Sequence, residues 1–186
     1  MAAPAWKEAT YEDLLKVDPH LVAELVEGTL YTHPRPRTAH ARSATMLSFE
    51  LVGPFDRGRG GPGGWLFLFE PELHLGRDVL VPDLAGWRRE RLPELPDGPS
   101  LSVAPDWLCE VLSPATASVD RSVKLPQYAA QGVAHVWFID PEAQTLEVLR
   151  LDGRTYRLMT TFAHEALVRA EPFEAFELSL SELWSR

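Results

Sequence analysis

Two short runs of nearly unbroken apolar residues, 107–112 (WLCEVL) and 134–139 (AHVWFI), constrain this chain more than anything else in it. A strand with one wet face alternates polar and apolar residues, whereas a strand apolar on both faces needs cover on both. The first run in particular belongs at the centre of a sheet. Between the two runs, residues 118–132 (SVDRSVKLPQYAAQG) read as a helix that stops at Gly132. Pro141 ends the second run.

The rest of the chain supplies further strands and helices. Thr10 is placed to cap a short helix opening at residues 10–13. LVAELVEG and TLYTHP predict two strands about a turn at Glu27-Gly28. Residues 38–55 form the longest helical candidate, with Ala41, Ala44, Leu47 and Leu51 at helical spacing. GRGGPGG, at 58–64, is a loop. Residues 65–76 and 77–87 read as strands near enough to pair as a hairpin, and 88–100 as a polar, Pro-rich surface excursion. TLEVLRL and TYRLMTT flank LDGR, a strong hairpin signal. SLSELWSR predicts one or two closing helical turns capped by Ser179 or Ser181. The expected fold class is α/β or α+β: one domain over residues 1–186, a mixed sheet with helices packed on it.

Composition narrows the function classes. No apolar run approaches the roughly 20 residues of a membrane-spanning helix, and residues 1–15 lack a basic stretch followed by an apolar one. The single cysteine, Cys109, has no internal disulfide partner, so the expectation is a soluble cytoplasmic protein. The net charge of −9 opposes indiscriminate nucleic-acid binding, which depends on Lys and Arg displacing counterions. An enzyme needs only a local basic patch. The chain has 15 Arg but only three Lys, at positions 7, 16 and 124, which draws attention to the interior Lys124. The six His show no zinc-ligand spacing.

Two carboxylates stand where carboxylates are costly: Asp83 within VLVPDLA and Glu110 within WLCEVL. A buried ionised carboxylate needs a cation, a hydrogen-bond network or a raised pKa. A shared divalent ion would stabilise both, and a few hard oxygen ligands suit Mg²⁺ or Mn²⁺. Taken singly, each acid is better explained by a helix cap, an Arg partner or an exposed strand end; the pair on neighbouring strands, with Lys124 close behind, weakens that explanation.

The ordered set VPDLAGW, then PDWLCEVLSPATASVDRSVKLPQYAAQGVAHVWFIDP, closely resembles the Uma2 family, a branch of the PD-(D/E)XK nuclease fold. The resemblance starts at ELVEG, takes in the helix carrying His40, and runs to the final SLSELW. It implies a restriction-endonuclease-like core, a mixed β-sheet flanked by helices, with the site at one end of two central strands. It makes Asp83 the Asp of the PD element and Glu110 the second acid. The usual third position, two residues after Glu110, holds Leu112, and the resemblance moves the lysine to Lys124 on the next helix. It adds Glu24, from the ELxxG element, as a third metal ligand or a supporting contact, although a solvated strand carboxylate explains Glu24 equally well.

The implied activity is Mg²⁺-dependent hydrolysis of DNA phosphodiester bonds, leaving a 5′-phosphate and a 3′-hydroxyl. Asp83 and Glu110 would hold the metal, Lys124 would orient water or stabilise developing charge, and a homodimer would cut both strands. The alternative is a catalytically inactive nuclease-fold module that binds nucleic acid or protein; a third is hydrolysis of a small phosphorylated substrate. Other residues rank lower: His40 as a phosphate contact or proton-transfer group, or equally a surface or helix-capping His; Asp120 as a helix N-cap rather than a ligand; Tyr128 as core, or packed near Lys124; Cys109 as core; and Ser113-Pro114 as the exit from a strand into a helix. Pro126 falls inside the Lys124 helix, where a proline costs about 3 kcal/mol, so that helix is expected to start later or to kink.

Overall fold

A computed structural model describes residues 7–184. Residues 1–6, on which part of the leader reading rests, and Ser185 and Arg186 lie outside that range. In chain order the elements are α1 (Tyr11–Leu14), β1 (Leu21–Val26), β2 (Thr29–Pro34), α2 (Thr38–Leu51), β3 (Trp65–Phe69), β4 (Glu72–Leu75), β5 (Asp78–Leu80), β6 (Leu84–Arg88) and β7 (Ser100–Leu101). There follow β8 (Trp107–Val111), α3 (Ala117–Val119), α4 (Leu125–Ala130), β9 (His135–Asp140), β10 (Thr145–Asp152), β11 (Thr155–Ala163), β12 (Leu167–Val168), β13 (Leu178–Ser179) and α5 (Ser181–Trp184). A π-helical turn over Val52–Asp56 extends α2, and another over Asp120–Lys124 joins α3 to α4.

The strands form a six-stranded sheet in the order β11-β10-β9-β8-β6-β3, a five-stranded sheet in the order β2-β1-β5-β4-β7, and a separate antiparallel pair, β12-β13. The two larger sheets are mixed: β8 runs parallel to β9, and β4 parallel to β7, within otherwise antiparallel neighbours. Every residue of β8 is buried, as its apolar run demands. Alternate residues feed two different cores. Trp107, Cys109 and Val111 join Ala44, Leu47 and Leu51 of α2, while Leu108 and Leu112 join Tyr128, Val133 and Phe138. Cys109 is a free, buried core residue. Gly86 belongs to the same packing: a Cβ there would lie 2.9 Å from the Phe67 ring and 3.3 Å from Trp107.

The turns follow their residue types. Glu27 and Gly28 both take positive φ, 49° and 71°, the pairing that closes a two-residue hairpin between β1 and β2. Thr10 donates through both its backbone N and its hydroxyl to the Asp13 carboxylate, fixing the start of α1. β10 and β11 form the expected hairpin.

The stretch 65–87 departs from a simple hairpin, and that departure builds the site. β3 pairs with β6 in the large sheet, whereas β4 pairs with β5 in the small one. Pro71 and Pro82 cannot donate to a ladder, so both arms break at the same level and cross from one sheet to the other. At the break Glu70 N donates to the Asp83 carbonyl (3.0 Å). Asp83 therefore lies at the seam of the two sheets, just before β6.

The kink expected from Pro126 resolves in the π turn. Leu125 N donates to Asp120 O, five residues back, and the widened turn gives the proline ring room at the start of α4. Pro54 is accommodated in the other π turn. Asp120 is not an N-cap: the helix starts earlier, at Ala117, after a turn in which Ala117 N donates to Ser113 O (2.9 Å) and Thr116 N to Ser113 Oγ (3.3 Å). Asp120 is thereby carried one turn inward and buried.

Candidate active site

Three pieces of backbone meet at the seam. β6 and β8 are antiparallel, with Leu84 opposite Cys109, so Asp83 comes beside Glu110. Asp83 Oδ2 accepts from Val111 N (2.7 Å) and lies 3.3 Å from His40 Nε2 on α2. Opposite, the π turn and α4 carry Asp120, Lys124 and Tyr128. Residues four apart on a regular α-helix drift by about 40° round the axis; the wider turn between Asp120 and Lys124 takes that drift back and keeps all three on one face.

Lys124 is the hub. Its Nζ lies 2.8 Å from Glu110 Oε1, 3.0 Å from Glu24 Oε1 and 3.4 Å from Asp120 Oδ1. Tyr128 donates its hydroxyl to Glu110 Oε1 (2.6 Å). Glu24 Oε1 also accepts from Val81 N (2.7 Å), and its Oε2 is 3.9 Å from His33 Nε2. Lys124, Glu24 and Glu110 are each no more than 3% exposed, so these contacts replace water rather than compete with it.

Four carboxylates thus share one ammonium and two imidazoles, His40 beside Asp83 and, at longer range, His33 beside Glu24. Burial pushes the Glu110 carboxyl well above its usual range; Lys124 opposes this, and the other acids push it further up. Burial likewise raises Asp120 against the pull of Lys124. For Lys124 burial alone would lower the pKa, but Glu110 and Glu24 outweigh it and hold the ammonium well above its ordinary value. Burial pulls His40 down, but its bond to Asp83 and the nearby Asp83 and Asp120 charges together outweigh it and raise the imidazole. Burial and the Glu110 carboxylate raise Tyr128.

The cluster floors a cavity of about 390 Å³, with Asp83, Glu110, Asp120 and Lys124 on its lining and Arg35 and Arg37 along its rim. The structure brings Asp83, Glu110, Lys124 and Glu24 together as one group. Among the described residues, however, no three His, Cys, Asp or Glu side chains stand ready to hold a metal ion, because Lys124 holds Glu24 and Glu110. Asp83 Oδ1 and Glu110 Oε2 keep no hydrogen-bond partner among those residues. Two such oxygens and an excess of buried negative charge fit Mg²⁺, which binds through one or two carboxylates plus water and phosphate.

Tyr128 was expected in the core or near Lys124 but not on Glu110, and the part played by Asp120 was not anticipated. Their signal is the D-x-x-x-K-x-x-x-Y spacing, which places three polar residues on one helical face. His33, Arg35 and Arg37 were also missed; alternating Arg and Pro between a strand and a helix was the available sign.

Known proteins agree with this picture at the level of fold and family. No curated protein shows significant similarity to the chain. A crystal structure of a "putative nuclease belonging to DUF820" from Anabaena variabilis ATCC 29413 superposes with a TM-score of 0.73 at 23% identity, over 94% of this chain and 97% of that one. The large mixed sheet and its flanking helices are therefore the fold of that protein. The family model described as "Putative restriction endonuclease" matches residues 9–181, and the chain belongs to that family, Uma2.

Proposed function

We propose that the chain is a metal-dependent endonuclease that hydrolyses DNA phosphodiester bonds with Asp83, Glu110 and Lys124. The observation that carries this reading is the Lys124 ammonium beside Glu110: position 112 holds Leu, yet a lysine from the neighbouring helix reaches the acid that the motif requires. Asp83 and Glu110 are the residues that would hold Mg²⁺, with Mn²⁺ as a substitute, and Glu24 Oε2 is the oxygen left to add to them. When bound, the cation supplies Lewis acidity toward the scissile phosphate and the attacking water.

The chain's own residues do the rest. Lys124 stays protonated, so it acts as a fixed positive donor that orients water or stabilises charge developing on phosphate, not as a base. Glu24, Asp120 and Glu110 pin its amine, and Tyr128 pins Glu110. His40 orients Asp83. Two such sites in a homodimer would cut both strands of a duplex, which light scattering on the eluted protein tests.

One observation favours a second reading, a module that binds nucleic acid or protein without cleaving: Lys124 already neutralises the acids that would take the metal. Plasmid and single-stranded DNA incubated with Mg²⁺ or Mn²⁺ separate the two. The nuclease reading expects cleavage that EDTA stops and that Asp83→Ala or Lys124→Ala lowers by about 10²–10³-fold. Cleavage surviving both substitutions removes the proposed site, and no cleavage under any condition leaves the binding module.

A further inference from the structure

A catalytic cluster this acidic repels the substrate it is proposed to cut. Four carboxylates surround it and the chain carries a net charge of −9, while nucleic-acid affinity comes chiefly from cations set against phosphates. Positive charge must therefore be presented locally, at the mouth of the cavity.

The segment His33-Pro34-Arg35-Pro36-Arg37 has the right chemistry and the right place. It links β2 to α2 and lines the cavity above Asp83 and Lys124. Proline fixes φ and pushes the residue before it toward an extended conformation, so Pro34 and Pro36 hold this segment stiff. Both arginines are exposed. Arg35 makes a hydrogen bond to the Pro19 carbonyl (3.3 Å) and a long ion pair with Glu70 (3.8 Å), which steers its stem across the rim without neutralising it closely. Arg37 has no ion pair among the described residues. It also occupies the N-cap of α2, whose first turn holds no acidic residue, so the positive end of the helix adds to the same field. Elsewhere the arginines are more often spent: Arg89, Arg91, Arg121, Arg150 and Arg157 each pair with a carboxylate at 3.1 Å or less.

We infer that Arg35 and Arg37 form a phosphate clamp that grips the DNA backbone on either side of the bond to be cut. The guanidinium fork matches phosphate oxygens in two-point contacts that Lys does not reproduce. Because the contacts are to backbone, the clamp confers affinity and register but no base preference. This inference rests on the nuclease reading above and names the residues by which the site takes hold of its substrate.

Fluorescence anisotropy tests it, using the full chain, a labelled DNA oligonucleotide and Ca²⁺ in place of Mg²⁺, over a range of salt. Arg35→Gln/Arg37→Gln is expected to weaken binding and to lower the slope of log affinity against log salt by about 2, one for each lost phosphate contact. Arg57→Gln/Arg59→Gln, which removes the same charge from the exposed loop beyond the far end of α2, is expected to keep the parent slope. Arg35→Lys/Arg37→Lys is expected to keep the slope but bind less tightly. An unchanged slope in the Gln pair, or an equal fall in the loop pair, overturns the clamp while cleavage by the parent still upholds the nuclease. A parent that neither binds nor cleaves DNA overturns both.

Discussion

Lys124 Nζ and Glu110 Oε1, on an interrupted helix and a central strand, stand 2.8 Å apart on the floor of the cavity, where neither residue is more than 3% exposed. The π turn supplies this meeting. It relieves Pro126 and sets Lys124 over the strand, between Asp120 and Tyr128. A buried pair of this kind is costly to break, because removing one partner strands the other charge without water.

Lys124→Ala is therefore expected to destabilise the metal-free protein by about 3–5 kcal/mol, measured by urea denaturation. Glu110→Gln in the same chain should recover part of that loss, because it removes a stranded charge. A Lys124→Ala variant as stable as the parent would show that the ammonium does not hold these acids together.

Tyr128→Phe removes only the donor to Glu110, and an acceptor left short of a partner costs about 1–3 kcal/mol. We expect that loss in stability together with a fall in cleavage. Asp120→Asn frees one side of the Lys124 amine. It should lower the cleavage rate more than it lowers DNA affinity, measured by single-turnover kinetics beside anisotropy.

Stability and activity should respond to pH in opposite directions. The folded-state pKa values of Glu110 and Asp120 are raised, so the native state binds protons that the unfolded chain has released. Stability then falls as pH climbs from the ordinary carboxylate range, about 4.5, toward the folded values. His40, also raised, contributes stability that is complete below its unfolded value of about 6.5 and disappears as pH rises through its folded one. His135, whose pKa is lowered by burial, opposes this trend on the acid side. The metal-free protein should melt higher at about pH 6 than at about pH 8, and Glu110→Gln should flatten the difference. Cleavage should rise over the same range, because an ionised Glu110 is the form that binds a cation. Melting curves independent of pH would contradict these shifts.

Gly86→Ala tests the core behind the site. The added methyl would press on the Phe67 ring and Trp107, an overpacking that costs about 1–3 kcal/mol. A melting temperature within experimental error of the parent would mean that the rings yield freely.

The elements were largely legible in the sequence because their signals are local. Nearly unbroken apolar runs marked β8 and β9, Glu27-Gly28 and LDGR marked turns, and the spacing of Ala44, Leu47 and Leu51 marked α2. The convergence of Asp83, Glu110 and Lys124 came from motif resemblance, since no local rule brings a helix-borne amine to a strand. Two things escaped. Residues 65–76 and 77–87 read as two continuous strands of one hairpin, yet each divides at a proline, Pro71 or Pro82, between two sheets, and the division depends on which distant strands offer edges to β3 and β4. Asp120 read as a cap because it precedes an obvious helical pattern; the tight turn at Ser113 that starts the helix sooner carries only a weak signal.

The central claim is that the Asp83 and Glu110 carboxylates take up one divalent ion beside Lys124. Calorimetric titration of the purified chain with Mn²⁺ tests it most directly. The account predicts one Mn²⁺ per chain, lost in Asp83→Asn and in Glu110→Gln while both variants stay folded by circular dichroism. No uptake by the parent, or uptake unaffected by either substitution, would contradict it.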